Sequence, residues 1–246
     1  MRAQEDLAVL VEDILSAAVR EHRGATRYRK PLVGFAAADD PAFRRLQEAV
    51  PGHLMPEELL PGARTVVVYF LPFDAGVVEA NAAAHPYAEE WAVAYQETNR
   101  LLEEIARELC AVLGQQGYRA VWQPPTHRFD PQTLTARWSH KSAGYIAGLG
   151  VFGRHRMLIT PAGCAGRLGS IITDACISPT PRARVSCAED DCNACVQICP
   201  VGAIGADRFD RHACRRWLLA NAAAGAQVCG KCATGPCGVL EPDENR

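Results

Sequence analysis

The distribution of cysteines constrains this 246-residue chain more than any other feature. It contains 11 cysteines, and all but three of them lie from Cys187 onward. Cytosolic thiols stay reduced and rarely form structural disulfides, so this number of cysteines indicates metal binding. The first group has the spacing Cys-x4-Cys-x2-Cys-x3-Cys-Pro and ends at Pro200. The second group consists of Cys214, Cys229, Cys232 and Cys237.

This spacing predicts two [4Fe–4S] clusters. In two-cluster ferredoxins, closely spaced cysteines bind one cluster, whereas the cysteine that precedes proline binds the other. By this crossed pattern, the predicted ligands of one cluster are Cys187, Cys192, Cys195 and Cys237. The predicted ligands of the other cluster are Cys199, Cys214, Cys229 and Cys232.

Three other interpretations of the cysteines remain open. Plant-type [2Fe–2S] proteins share the Cys-x4-Cys-x2-Cys spacing, but they leave most of the second group unexplained. Zinc could bind the pairs 192–195 and 229–232, but four nearby cysteines and the Cys–Pro step would then have no role. Cysteines that only pack in a core do not cluster at ligand spacing in an Asp-rich loop. No role is assigned to Cys110, Cys164 or Cys176.

The pattern of apolar residues predicts an α+β fold. Helical periodicity covers residues 5–20 and 87–116, and strands are predicted at 65–71, 118–122, 157–160 and 169–173. The apolar run 65–71 suits a strand buried on both faces. We therefore expect an N-terminal α/β cofactor-binding domain at residues 1–180, followed by a two-[4Fe–4S] bacterial-ferredoxin-like domain at 181–246.

Charge and hydropathy exclude several classes of function. The net charge of −2 gives no general electrostatic basis for binding nucleic acid. The N-terminus carries acidic residues where a signal peptide needs a basic start, so a cytoplasmic location is expected. The longest strongly apolar run, 66–71, is far shorter than the ~20 residues that a membrane span requires.

Three further segments carry a family resemblance. They are LLPGARTVVV at 59–68, AGLGVFGR at 147–154 and GSIITD at 169–174. Together with the two cysteine groups, these segments resemble the epoxyqueuosine reductases and their shorter relatives. The full-length enzymes are cobalamin-dependent iron–sulfur proteins that act on tRNA. The resemblance covers most of the chain and implies a corrinoid bound by the α/β domain.

The sequence also departs from the full-length reductases. Their further helical-repeat region, which is involved in tRNA binding, has no counterpart in the nine residues after Cys237, so tRNA is not the expected substrate. The family's catalytic aspartate precedes the glycine-rich block by a fixed interval, and the nearest acid here, Asp130, lies about four residues too far upstream. The segment 137–141 and the CAGR sequence at 164–167 look more like short relatives from anaerobes, and this resemblance implies no particular substrate.

The resemblance implies a proton donor close to the corrinoid. The candidates are Asp130, His140 and Tyr145, and each has an ordinary structural alternative. Asp130 could be a turn residue before Pro131, His140 could be satisfied in a polar turn, and Tyr145 could belong to the core.

The glycine-rich block is the predicted cofactor contact, through Gly148, Gly150, Gly153 and Arg154. Its GxGxxG pattern alone would suggest a dinucleotide, but no strand is evident just before it.

The expected function is an iron–sulfur oxidoreductase that passes electrons from two clusters to cobalamin and so reduces an unidentified substrate. The expected partners are a ferredoxin- or flavodoxin-type protein as electron donor and a small-molecule or corrinoid acceptor. The alternative is a non-catalytic ferredoxin-type protein that donates electrons to a partner such as a corrinoid protein.

Overall fold

A four-stranded antiparallel sheet organises the fold. The computed structural model describes residues 2–124, 129–187, 192–205, 208–222 and 226–241. The helices in these ranges are α1 (Arg2–Glu21), α2 (Pro41–Ala49), α3 (Pro56–Leu59), α4 (Ala75–Ala83), α5 (Glu89–Gln115), α6 (His140–Ile146), α7 (Ala194–Ile198) and α8 (Arg211–Ala220), with a 3₁₀ turn at Lys231–Ala233. The strands are β1 (Leu32–Ala37), β2 (Thr65–Pro72), β3 (Ala120–Trp122), β4 (Val151–Phe152), β5 (Leu158–Ile159) and β6 (Gly166–Thr173).

Strand β2 is buried along its whole length because helices cover both faces of the sheet. The strand order is β1-β2-β6-β3, and every neighbouring pair is antiparallel. Side chains alternate between the faces of a strand. Val67, Tyr69 and Leu71 accordingly enter one apolar cluster, while Val66 and Val68 enter another. A strand between two packed layers needs apolar residues at every position, as this one has.

Helices α1 and α5 form the layer on one face. Their apolar stripes include Val11 and Leu15 on α1 and Leu102 and Ile105 on α5. The Tyr69 hydroxyl donates to the carbonyl of Leu102 (2.9 Å), so a buried polar group of the sheet is satisfied by the helix.

Helices α2 and α6 cover the opposite face. Phe43 of α2 is fully buried and stacks on Trp138, with ring centroids 6.0 Å apart. Ala143 of α6 packs in the same cluster as Val68. Gly144 allows the close approach, because a Cβ there would lie 2.9 Å from Leu158 Cδ2.

The C-terminal cysteine-rich segment is hydrogen-bonded into this domain. Residues 162–165 pair with 237–240, through Cys164 N to the carbonyl of Cys237 (2.9 Å) and Ala165 N to the carbonyl of Gly238 (2.9 Å). Arg29 completes the junction. Its guanidinium donates to the carbonyls of Phe73 (2.9 Å), Leu240 (2.9 Å) and Ala162 (2.5 Å).

Several elements predicted from the sequence are confirmed. Helices α1 and α5 and strands β2, β3, β5 and β6 all occur at the predicted places, although β5 is shorter and β6 begins three residues earlier than predicted. Strand β1, β4 and the short helices α2, α3, α4 and α6 were not predicted. Within the described ranges, no helix is both long and apolar enough to cross a membrane. The predicted domain boundary at residue 180 remains a prediction.

Replacing Arg29 with leucine should weaken the junction. Three carbonyls would lose a charged donor, and we expect the free energy of unfolding to fall by about 2–3 kcal/mol. Denaturant unfolding under anaerobic conditions measures the change. The control is Arg27→Leu, because Arg27 is exposed and donates to the carbonyls of Gly24 and Thr26 in its own loop. An Arg29 variant as stable as the Arg27 variant would contradict this account.

Candidate iron–sulfur and cleft site

The described thiols of the first predicted ligand set lie near one another. Burial raises the pKa of Cys195, and the neighbouring thiols of Cys237, Cys187 and Cys192 raise it further. Helix α7 carries Cys195, and Arg154 holds the preceding loop by donating to Asn193 Oδ1 (2.7 Å). Arg154, a predicted cofactor contact, therefore touches the first cysteine group. Residues 188–191 of this loop lie outside the described residues.

The second predicted set gathers around one cavity. Burial raises the pKa of Cys232 to about 12, and the thiols of Cys229, Cys214 and Cys199, together with that of Cys195 from the first set, add to this effect. Burial likewise raises the pKa of Cys214 to about 11, with contributions from Cys229 and Cys199. All four thiols line one cavity of about 210 Å³. Four converging thiols around a cavity form a donor set that suits an iron–sulfur cluster.

The end of α4 fixes the Cys229–Cys232 loop through hydrogen bonds. Lys231 is 7% exposed, and its ammonium donates to the carbonyls of Asn81, Ala82 (3.3 Å) and Ala84. A cation at the carboxyl end of a helix is stabilised by the helix dipole and by the unpaired carbonyls there. The amide of Asn81 donates to the carbonyl of Cys229 (2.9 Å). Helix α4 therefore sets the position of this pair of cysteines.

Cys237 has two polar neighbours besides the other thiols of its predicted ligand set. His155 Nε2 lies 3.3 Å from Cys237 Sγ, and Cys164 Sγ lies 3.9 Å from the same atom. Among the described residues, this trio is the one group of His, Cys, Asp or Glu side chains placed close enough to share a metal ion. Hydrogen bonding from Cys164 and from His155 lowers the pKa of Cys237 to about 5.

The cavity at the second predicted ligand set is also lined by Tyr95 and Arg167, and we call this side of it, together with the nearby Lys141, the cleft. Lys141 is exposed and Arg167 is half-buried. The protein atoms around each side chain reduce its contact with water, which lowers its pKa. The thiols of Cys232 and Cys214 lie near enough to Lys141 to oppose its shift. Arg167 lies over the ring of Tyr95, with its Cζ atom 4.0 Å from the centroid. The cleft thus contains two cations close to four thiols.

His140 is fully hydrogen-bonded. Trp138 Nε1 donates to Ser170 Oγ (2.9 Å), so the Ser170 hydroxyl can donate to His140 Nδ1, 2.8 Å away. The other ring nitrogen donates to the carbonyl of Pro124. Burial, assisted by the positive charge of Arg167, lowers the pKa of His140 to about 4. The ring is therefore neutral at pH 7, and both of its nitrogens are occupied.

The other two candidate proton donors lie elsewhere. Asp130 is exposed, and its carboxylate accepts hydrogen bonds from the backbone N–H groups of Gln132 and Thr133 (both 2.8 Å), which lower its pKa. This arrangement is that of a turn residue. Tyr145 is 36% exposed and contacts Phe152 and Arg182. These contacts leave the catalytic roles of both residues as predictions.

The glycine-rich block connects α6 to a small hairpin of β4 and β5. Gly148 has φ +78°, and a Cβ there would lie 3.0 Å from the carbonyl oxygen of Pro181. A Cβ on Gly150 would lie 2.0 Å from the carbonyl oxygen of Ile159, and one on Gly153 would lie 2.6 Å from His155. Close packing within the chain therefore explains these glycines, and their predicted contact with a cofactor is untested.

Solved structures of two kinds of enzyme share this fold. An epoxyqueuosine reductase with an epoxyqueuosine-modified tRNA stem loop matches 88% of the chain and 57% of its own length, with a TM-score of 0.61 and 21% identity. Epoxyqueuosine reductase from Streptococcus thermophilus matches 91% of the chain and 59% of its own length, with a TM-score of 0.60 and 16% identity. The chain has the fold of the epoxyqueuosine reductases. It spans a little over half the length of those reductases and fits a short form of them.

The second kind of enzyme is a reductive dehalogenase. One such structure suggests a mechanism for B12-dependent dehalogenation. Its match covers 82% of the chain and 29% of the dehalogenase, with a TM-score of 0.60 and 19% identity. No protein-family profile and no curated protein sequence matches the chain. The likeness to these enzymes therefore lies in the fold, since the sequence identities are only 16–21%.

Several side chains of this candidate site were missed in the sequence. The sequence patterns assigned no role to Lys141 or Tyr95. Lys231 lies between two cysteines, and the Cys-x2-Cys spacing indicates a role for the thiols but none for the lysine. Its contact with α4 joins positions about 150 residues apart, and no local pattern reveals such a contact.

Replacing Lys231 with methionine tests the anchor on α4. The variant keeps the apolar stem but leaves buried carbonyls of α4 without a donor, so we expect a loss of about 2–3 kcal/mol in the free energy of unfolding. The matched control is Lys30→Met at an exposed position. A Lys231 variant as stable as the Lys30 variant would contradict the anchoring role.

The neutral state of His140 predicts a pH dependence. With a pKa of about 6.5 in the unfolded chain and about 4 in the fold, His140 binds more protons when unfolded between these values. The wild type should therefore lose about 1–2 kcal/mol of stability relative to His140→Gln as the pH falls from 7 to 5. Parallel denaturant titrations at both pH values measure the difference. If the wild type and His140→Gln respond identically to pH, the ring is not buried as a neutral group.

Proposed function

We propose that this protein is an iron–sulfur oxidoreductase in which eight cysteines hold two [4Fe–4S] clusters and the adjoining cleft binds a corrinoid. The observation that carries the proposal is the gathering of Cys199, Cys214, Cys229 and Cys232 around one cavity, which the cysteines of the first predicted set do not line. Two groups of four thiols match the ligand requirement of two cubanes. The crossed pattern has Cys195 and Cys199, which are four residues apart, serving different clusters.

The second predicted set is the more suitable one for passing electrons to the cleft. Its cavity also contacts Tyr95, Arg167 and Cys164, so a cluster held there would border the cleft. A bound corrinoid supplies a strongly reducing metal centre to which electrons are delivered one at a time. The dehalogenase structure that shares the fold, whose mechanism is described as B12-dependent, supports this cofactor choice.

The residues of the cleft have roles that follow from their charge. Lys141 and Arg167 provide positive charge for an anionic group of the substrate or for negative charge that develops during reduction. The Lys141 ammonium is also a proton source within the cleft. His140, with both nitrogens occupied, is better suited to hold the start of α6 against β6. We propose a small molecule as the acceptor and a ferredoxin- or flavodoxin-type protein as the electron donor.

A second candidate function is a non-catalytic electron carrier. It requires the same two clusters but no corrinoid, and its electrons would pass to a partner such as a corrinoid protein. The fold of its structural neighbours and the cationic cleft favour the reductase.

The composition of the purified protein distinguishes these functions. Anaerobic purification should give about eight irons and eight sulfides per chain, as two cubanes require. After incubation with cobalamin and gel filtration, we expect about one cobalt per chain. Eight irons without retained cobalamin would support the carrier. About two irons, or one zinc and no sulfide, would overturn the two-cluster proposal.

Serine variants at two neighbouring cysteines test the crossed pattern. Cys195→Ser should disturb the cluster of the first predicted set, and Cys199→Ser should disturb that of the second. Electron paramagnetic resonance (EPR) spectra of the reduced proteins should therefore lose different signals. The control is Cys110→Ser, because Cys110 packs against the apolar cluster of α1 and α5, away from both groups. Loss of the same signal in both test variants would contradict the assignment.

A further inference from the structure

The sulfur of Cys237 lies within hydrogen-bonding distance of two side chains that the proposed function does not use. His155 Nε2 is 3.3 Å away and Cys164 Sγ is 3.9 Å away. Both neighbours are almost inaccessible to solvent, with 3% of His155 and 1% of Cys164 exposed. Buried polar groups are normally satisfied by specific partners, so these contacts are unlike chance encounters at a surface.

The protonation of His155 follows from its other contact. The backbone N–H of Met157 donates to His155 Nδ1 (3.0 Å), so Nδ1 acts as an acceptor. In a neutral imidazole the proton is then on Nε2, which faces Cys237. His155 therefore donates to the sulfur.

Cys164 is the second donor. Its thiol hydrogen can be directed at Cys237, whose sulfur accepts well as a thiolate. The backbone N–H of Cys164 also donates to the carbonyl of Cys237 (2.9 Å), so the two residues are fixed side by side.

The surrounding chain leaves little freedom for this arrangement. Gly163 has φ +89°, and a Cβ there would lie 2.3 Å from the carbonyl oxygen of Gly238. Gly153 likewise packs against His155, because a Cβ on Gly153 would lie 2.6 Å from His155 Cε1. The close backbone approach brings Cys164 to Cys237, and the β4–β5 hairpin places His155 beside both.

We propose that His155 and Cys164 are positioning residues that donate two hydrogen bonds to Cys237 Sγ and so raise the reduction potential of the cluster that Cys237 holds. This inference rests on the proposed function, since it requires that cluster. Reduction adds negative charge, which is shared with the ligand sulfurs. Donors to a ligand sulfur therefore stabilise the reduced form more than the oxidised form.

Matched variants separate a hydrogen bond from simple packing. His155→Leu and Cys164→Ala remove the donors, whereas His155→Gln and Cys164→Ser keep an N–H or O–H group at the same place. Redox titrations of the anaerobic holoproteins, followed by EPR, measure each cluster separately. We expect the donor-free variants to show at least a threefold lower ratio of reduced to oxidised cluster at fixed potential, which corresponds to about 30 mV. The donor-keeping variants should lie closer to the wild type, and the other cluster should be unaffected.

A spectroscopic measurement on the wild type avoids dependence on variant folding. Exchange into D₂O should shift the Fe–S stretching bands in resonance Raman spectra, because two exchangeable hydrogens contact a ligand sulfur. In Cys164→Ser the shift should persist, and in Cys164→Ala it should diminish. Unshifted bands in the wild type would overturn the proposal whether or not any variant keeps its clusters.

Three other outcomes also have defined meanings. Equal potentials in the leucine, alanine and wild-type proteins at full iron content would overturn the role of the two donors. Loss of one zinc or one iron per chain from Cys164→Ala, with both clusters intact, would show that the trio binds a separate metal and would also overturn it. A wild-type protein without clusters would instead refute the proposed function.

Discussion

The backbone pairing between residues 162–165 and 237–240 is the contact on which the candidate site depends. It joins the segment that leads into β6 to the end of the cysteine-rich region, and Arg29 reinforces it with three charged hydrogen bonds. The junction fixes Cys237, and the contacts of Asn81 and Lys231 at the end of α4 fix the Cys229–Cys232 loop. Together they place Cys237 next to the β4–β5 hairpin and Cys232 next to the cleft.

Burial and charge are distributed unevenly around the thiols. The second predicted set lies beside two cations, Lys141 and Arg167, whereas in the first Arg154 holds the loop before α7 and His155 and Cys164 donate to Cys237. Whole charges act over longer distances than single hydrogen bonds do. Chemically identical groups in the two sets therefore have different electrostatic surroundings, which is a general means of giving them different tasks.

The parts of the fold that could be predicted are those with strong local patterns. Helix α5 has a long apolar stripe, and β2 has a run of β-branched residues that only a strand between two layers requires. Helix α6 escaped prediction because its seven residues contain a glycine and have too few turns to show periodicity. The glycine pattern at 148–153 suggested a cofactor contact, but sterically it is explained by the chain's own backbone at Ile159 and Pro181. The two ligand sets could be proposed from spacing alone, whereas the contacts of Lys231, His155 and Arg167 depend on distant segments meeting.

The capping of α4 by Lys231 has a consequence for how the protein is assembled. The ammonium group is satisfied by carbonyls that exist in that arrangement only once α4 has formed and docked beside α5. The loop with Cys229 and Cys232 is thus shaped by a surface supplied from the first half of the chain. Synthesis proceeds from the N-terminus, so this surface can be complete before the last four cysteines leave the ribosome. Folding can then follow an order in which the scaffold forms first and the Cys229–Cys232 loop docks on it afterwards.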